Sequence, residues 1–138
     1  MKVLIDTNIL ISAAYSKGSV PYQAYKQATT PPYQGIVCEW SLEELRCVLN
    51  RKFSHRIQTF ERFITTMMPV IEIIPVPPSP YHGEEKIRDP DDRPILRAAI
   101  NFGVDILLTG DKDFLESAVT CPKIMSASEF VRGCAHTS

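Results

Sequence analysis

Lys2-Val3-Leu4-Ile5-Asp6 is a short run of branched aliphatic side chains that ends on a carboxylate. A stretch so brief and so apolar suits a buried strand, since a helix needs roughly ten residues or more to form its periodic face. A carboxylate that directly ends such a strand needs a partner, and no Lys or Arg lies within its turn. The same tension recurs further along the chain.

Asn8 to Tyr15 reads as a short helix stopped by Gly18, and Pro21 starts a second in which Tyr22, Tyr25 and Ala28 recur at helical spacing. Gly35 to Cys38 is a second strand. Ser41-Leu42-Glu43-Glu44 has the form of a capping box, opening a helix to about Asn50 with Leu42, Leu45, Val48 and Leu49 as its stripe. Phe60, Phe63, Ile64 and Met67 mark a helix near residues 58 to 68, followed by a third strand from Val70 to Val76 that Pro75 interrupts. Pro75 to Pro90 holds five prolines and Gly83, which predicts a long loop without regular structure.

Asp91 or Asp92 can cap the next helix, with Pro94 in its first turn and Gly103 at its end. Ile95, Leu96, Ala98, Ala99 and Phe102 supply its apolar face. Asp105 to Thr109 is a fourth strand that must turn at Gly110. A last strand near Lys123 to Met125 precedes a helix opened by Ser126-x-x-Glu129 and closed at Gly133, leaving residues 134–138 as a tail. No internal repeat is visible. Strands alternating with helices predict one α/β domain over residues 1–138: a three-layer α/β/α sandwich with a mainly parallel central sheet.

Composition narrows the function classes. Fifteen basic residues against sixteen acidic ones give a net charge of −1, so no overall field draws the chain to nucleic acid or to an anionic membrane. Asp6 and Asn8 interrupt the opening apolar run too early for a secretory signal, and nothing reaches the length of a membrane span. Cys38, Cys47, Cys121 and Cys134 are scattered without a Cys-x-x-Cys pair, which predicts a reduced, cytoplasmic protein. Zinc held by Cys134, His136 and distant partners lacks the usual paired ligand spacing.

In a parallel α/β sheet the loops leaving the strand carboxyl ends gather on one edge, where ligands bind. Asp6, Glu44, Asp92 and Asp111 all fall on that edge, with Asp113 two residues beyond the last. Two like charges ~4 Å apart repel by about 4 kcal/mol at an effective dielectric near 20, so such a group converges only with raised pKa values, basic neighbours or a bound cation. An oxygen-only set suits Mg²⁺ or Mn²⁺. A hard ion among carboxylates activates water and offsets charge on a phosphate, which makes phosphodiester hydrolysis the natural reaction. Each residue taken singly also has a plain structural role: Ser41 and Glu44 as a capping box, Asp92 as a helix cap, Asp111 and Asp113 as turn residues beside Gly110.

Val3 to Leu10, Ser41 to Leu45, Asp89-Pro90-Asp91-Asp92-Arg93-Pro94-Ile95-Leu96 and Leu108-Thr109-Gly110-Asp111-Lys112-Asp113-Phe114, in that order and spacing, resemble the PIN-domain family. The resemblance covers nearly the whole chain and is strongest to the branch of VapC-like toxins from toxin–antitoxin pairs. It implies that Asp6, Glu44, Asp92 and Asp111 are catalytic and metal-site carboxylates, supported by Asp113, with Asn8 orienting Asp6. Glu44 is preferred to Glu43 because Leu45 follows it, and Asp92 to Asp91 by its distance from Gly103; Asp89 and Asp91 stay possible contributors. The activity implied is a Mg²⁺-dependent or Mn²⁺-dependent endoribonuclease, often a homodimer silenced by an antitoxin.

Arg46, Arg51, Lys52, His55 and Arg56 could follow an RNA backbone, yet cations also favour a helix C-terminus without RNA. Tyr22, Tyr25 and Trp40 could stack on bases, although Tyr22 and Tyr25 at helical spacing are also expected from packing. The rival readings are an inactive PIN-like interaction module and a Mg²⁺-dependent phosphatase or phosphotransfer domain. The last wants a second Asp two residues after the first, where this chain has the neutral Asn8.

Overall fold

The computed structural model describes the backbone of residues 1–52 and 54–137, and side chains as far as Gly133 apart from residue 53. Five strands are present among the described residues: β1 (Lys2–Ile5), β2 (Gln34–Cys38), β3 (Ile71–Ile74), β4 (Ile106–Leu108) and β5 (Lys123–Met125). They lie in the order β3-β2-β1-β4-β5, and every pairing is parallel. Helices α1 (Thr7–Tyr15), α2 (Val20–Ala28), α3 (Glu39–Lys52), α4 (Ile57–Met67), α5 (Arg93–Phe102), α6 (Lys112–Leu115) and α7 (Ala127–Thr137) connect and cover them.

Period-two alternation in the strands creates two cores. Val3 and Ile5 of β1, Val37 of β2 and Ile106 and Leu108 of β4 face one side, packed with Leu10, Tyr25, Leu45, Phe60 and Phe130. Leu4, Ile36, Cys38 and Leu107 face the other, packed with Ile87, Ile95, Leu96, Ala99 and Phe114. Because both faces are covered, the strands read as continuous apolar runs, which is why the first of them was legible from sequence. The order of the strands reverses direction between β1 and β4. That crevice is the topological switch point of the sheet.

Several local expectations are corrected. Ser41 does not cap α3: the helix starts at Glu39, directly after β2, and the backbone N–H groups of Trp40 and Ser41 reach the Cys38 sulfur instead. Ser41 is thereby buried inside the first turn, its Oγ without a partner, and Glu44 moves to the second turn. Asp92 takes the N-cap position of α5, one of the two alternatives expected, but its side chain makes no capping hydrogen bond. Asp89 accepts from the Asp91 N–H at 3.0 Å and caps a 3₁₀ turn over Pro90–Asp92, so the carboxyl of Asp92 makes no bond to its own helix.

Gly103 ends α5 as expected, with φ of 72° and its N–H on the last carbonyls. Gly133 does not end α7, which continues through Thr137 into the expected tail. The capping box there is real: Ser126 Oγ accepts from Glu129 N at 3.2 Å, and Glu129 Oε1 accepts from Ser126 N at 3.1 Å. The side chains of Cys134 and His136 lie outside the described residues. Among those residues no helix is long and apolar enough to cross a membrane.

The proline-rich segment has no regular strand or α-helix but is firmly held. Arg97 of α5 donates to both carboxylate oxygens of Glu84 at 3.0 and 2.9 Å and to the Pro77 carbonyl at 3.2 Å. Arg93 Nε donates to the Ile87 carbonyl at 3.0 Å, and the Ile87 side chain is fully buried in the second core. The arginine beside Glu84 holds its carboxyl below the usual carboxylate range. This strap delivers Arg88 and Asp89 to the carboxyl edge of the sheet.

Candidate metal centre

Asp6 follows β1 at the switch point and is 4% exposed. Its Oδ1 accepts from the Thr7 N–H at 2.7 Å, which caps α1. Its Oδ2 accepts from Thr109 Oγ1 at 2.8 Å and from Asn8 Nδ2 at 3.2 Å. Burial still outweighs these bonds, and together with the charges of Glu44 and Asp111 it pushes the pKa up to about 6.

Asn8 and Thr109 stitch the two sides of the crevice. Asn8 Oδ1 accepts from the Gly110 N–H at 2.9 Å, while Thr109 Oγ1 accepts from the Asp111 N–H at 3.0 Å. The turn after β4 is therefore fixed to the turn after β1 by two short polar side chains. Thr109 is fully buried and carries no role in the sequence reading. Its position at the end of an apolar strand, matching that of Asp6, was the available signal.

Asp111 caps α6, accepting from the Asp113 N–H at 2.9 Å. The turn role and proximity to the other acids coexist. Asp92 stands against it: burial first, then the hydrogen-bonding contact with the Asp111 carboxyl and its charge, raise the Asp92 pKa to about 7. Asp92 Oδ2 is buried and has no hydrogen-bond partner. Two ionised carboxylates have no hydrogen to share, so they stay in contact only where one keeps a proton or a cation enters between them.

Among the described residues the carboxylates close enough to share an ion form a different grouping, one that includes Asp92 without Asp6, Glu44 or Asp111. One carboxylate oxygen each from Asp89, Asp92 and Asp113 lie within 4.8 Å of one another. Asp113 Oδ1 in addition accepts from Arg88 Nη2 at 2.7 Å and Nε at 3.1 Å. Asp92 thus joins Asp111 and Asp6 on one side to Asp89 and Asp113 on the other. Glu44 is exposed on α3 and acts on Asp6 through its charge; Glu43 and Asp91 are exposed as well, Asp91 using its backbone N–H in the 3₁₀ turn.

All ligand atoms in this cluster are carboxylate oxygens, a donor set that fits a hard divalent ion. Cys38 is close enough to feel Asp6, but burial pushes its thiol up, so it offers no thiolate to a soft metal near neutral pH. A groove of about 370 Å³ runs from Asn8 and Gly110 past Ser12 to Ser126 and Ser128 at the start of α7. Arg46, Arg51 and Lys52 are exposed along the second half of α3 and His55 and Arg56 in the 3₁₀ turn after it, and the Arg56 guanidinium sits 4.8 Å from the Tyr15 ring centroid. Tyr25 is buried, 5.0 Å from Phe63 and 6.0 Å from Tyr22 between ring centroids, so these tyrosines pack helices together.

A doubly wound parallel sheet with carboxylates gathered at its switch point defines an α/β protein with an acidic, oxygen-rich edge. The PIN domain family profile matches residues 2–113, and the chain belongs to that family. Its fold is similar to VapBC2 from Rickettsia felis, solved bound to a DNA fragment from its promoter, with a TM-score of 0.69 at 15% identity over 91% of this chain and 98% of that one. DNA-bound VapBC from Salmonella typhimurium gives 0.64 at 16% identity over 92% and 98%. VapC20 of Mycobacterium tuberculosis, described as a toxin that cleaves the sarcin-ricin loop, gives 0.58 at 17% identity over 83% and 93%. No curated protein matches the chain by sequence.

Proposed function

We propose that this protein is a Mg²⁺-dependent or Mn²⁺-dependent endoribonuclease, with Asp6, Asp92 and Asp111 as the central ligands and Glu44, Asp89 and Asp113 around them. The observation that carries the reading is the contact between the Asp92 and Asp111 carboxyls beside buried Asp6, an arrangement that calls for a cation. When bound, a hard ion supplies an activated water and offsets charge on the phosphate under attack. The protein's own residues do the rest. Thr109 and Asn8 fix the orientation of Asp6, the Thr7 N–H holds its other oxygen, and a carboxylate left free of the ion accepts the proton of the attacking water.

A polymer substrate is supported by the groove beside Asn8 and Gly110, which leaves room for nucleotides adjoining the one cut. RNA as that polymer rests on family membership and on the likeness to a toxin described as cutting the sarcin-ricin loop. A role as the toxin of a toxin–antitoxin pair with a small antitoxin partner rests on the likeness to VapBC complexes, and a homodimeric state on family membership alone.

Purified protein incubated with single-stranded RNA in Mn²⁺, Mg²⁺ or EDTA tests the reading. Cleavage in either metal, none in EDTA, and loss of roughly 100-fold or more in Asp6→Asn and Asp111→Asn is the expected pattern. Asparagine variants that cut as fast as wild type would place the activity elsewhere. Cation binding without cleavage would favour the inactive interaction module. A tagged copy that recovers no small companion from its native cells would remove the antitoxin.

A further inference from the structure

Arg88 pairs with Asp113 through two donors, at 2.7 and 3.1 Å, although its side chain is 77% exposed. The pair is unneeded to hold the strap. Ile87 beside it is fully buried, Arg93 fixes the Ile87 carbonyl, and the shielded Arg97–Glu84 pair anchors the segment further back. Exposed ion pairs of the Arg88 kind contribute little to stability.

What the contact does change is the acidic edge. Asp113 supplies one of three oxygens that lie within 4.8 Å of one another, and Arg88 already occupies its Oδ1. A divalent ion recruiting Asp113 draws on the same carboxylate that Arg88 holds and competes with the guanidinium for its charge. Once displaced, the guanidinium remains tethered within a side chain's length of the acids, on a backbone fixed by Ile87. Its planar fork of donors matches a phosphate as well as it matches a carboxylate.

Resting on the nuclease reading above, we propose that Arg88 is a phosphate-binding positioning residue that exchanges partners: it sits on Asp113 while the cation is absent and moves to the RNA backbone when a divalent ion takes Asp113. The exchange explains why an arginine stands among groups meant to hold a cation. It also makes metal binding and substrate binding mutually supportive, since the ion frees the group that grips the phosphate.

The test combines Arg88→Gln and Arg88→Lys with two binding measurements. Mn²⁺ affinity is read by electron paramagnetic resonance of the free ion, and affinity for a labelled single-stranded RNA by anisotropy in Ca²⁺ buffer across a salt series. Arg88→Gln is expected to bind Mn²⁺ several-fold more tightly, because its competitor is gone. Its RNA affinity should fall about tenfold, and the slope of log K against log salt should shrink by roughly 0.7, the value for one single-strand phosphate contact. Arg88→Lys should keep the slope and recover part of the affinity. Asp113→Ala, which removes the acceptor that holds Arg88, should bind RNA more tightly than wild type in EDTA.

Unchanged RNA affinity and slope in Arg88→Gln, with wild-type cleavage intact, would overturn the exchange and leave the nuclease reading standing. A wild type that neither cuts nor binds RNA would overturn both. Circular dichroism melting of each variant separates these outcomes from misfolding, and Arg88→Lys carries the test if the glutamine variant melts early.

Discussion

The carboxyl of Asp92 rests against that of Asp111, although the two come from loops on different strands and neither offers a hydrogen to the other when ionised. With Asp6 buried beside them, the free site retains protons to unusually high pH, Asp6 to about 6 and Asp92 to about 7. The cation binding proposed above would have to expel those protons.

Stability of the metal-free protein should therefore fall as pH rises. Asp6 holds its proton more tightly when folded than when unfolded, so its contribution is complete below about 3.8 and is lost as pH climbs through about 6. The loss amounts to about 3 kcal/mol for this residue. Denaturation in EDTA should show declining stability from pH 4 to pH 7, a flatter profile in Asp6→Asn, and recovery of about 2.7 kcal/mol in wild type at pH 7.5 when Mn²⁺ reaches 100 times its Kd. A rising profile in EDTA would contradict the burial of Asp6 as a destabilised anion.

Thr109→Val keeps the shape of the side chain and removes the hydroxyl that donates to Asp6 and accepts from the Asp111 N–H. The buried groups left unpaired should cost about 1–3 kcal/mol. Losing that bond also raises the Asp6 pKa further, so Mn²⁺ binding should weaken and release more protons. Thr109→Ser should retain the metal affinity. Calorimetry in two buffers of different ionisation enthalpy measures both quantities.

Arg97→Ala leaves the shielded Glu84 carboxylate with only the Tyr81 N–H, at 2.9 Å, as hydrogen-bond partner, which should cost about 3 kcal/mol. The strap should loosen with it. Limited proteolysis should then cut between residues 75 and 90 faster than in wild type, while an Arg97→Leu/Glu84→Leu double variant regains much of the stability. Equal cutting rates would show that Ile87 alone holds the segment.

Gly35 in β2 has no room for a side chain: an added Cβ would lie 2.7 Å from Thr29 Cγ2 and 3.3 Å from the Ala28 carbonyl oxygen. Gly35→Ala should cost about 1–3 kcal/mol through overpacking, and Thr29→Ser, by removing that methyl, should relieve part of it. Chemical denaturation of the single and double variants checks the coupling.

Local rules carried the sequence reading furthest where neighbours in the chain decide the outcome. The apolar run before Asp6, the Gly103 stop and the Ser126–Glu129 box each depend on a few adjacent residues, and the structure has them as read. The local reading failed at Ser41 because a thiol from the preceding strand took over its capping role, and held only in part at Asp92, which takes the N-cap position without a side-chain bond while Asp89 caps the turn before it. Capping is a competition among nearby donors and acceptors, and sequence spacing alone does not name the winner.

By itself the sequence determined the alternation of elements, and hence a parallel sheet whose acidic residues share one edge, because strand and helix periodicity are properties of contiguous side chains. Only the tertiary structure decided which acids touch. It put Asp92 between Asp111 and the Asp89–Asp113 pair, buried Thr109 as the bridge to Asp6, and set Arg88 on Asp113. Those contacts join residues that meet only once β1 and β4 lie side by side and the strap is pinned by Arg97, and distances of that kind are fixed by packing.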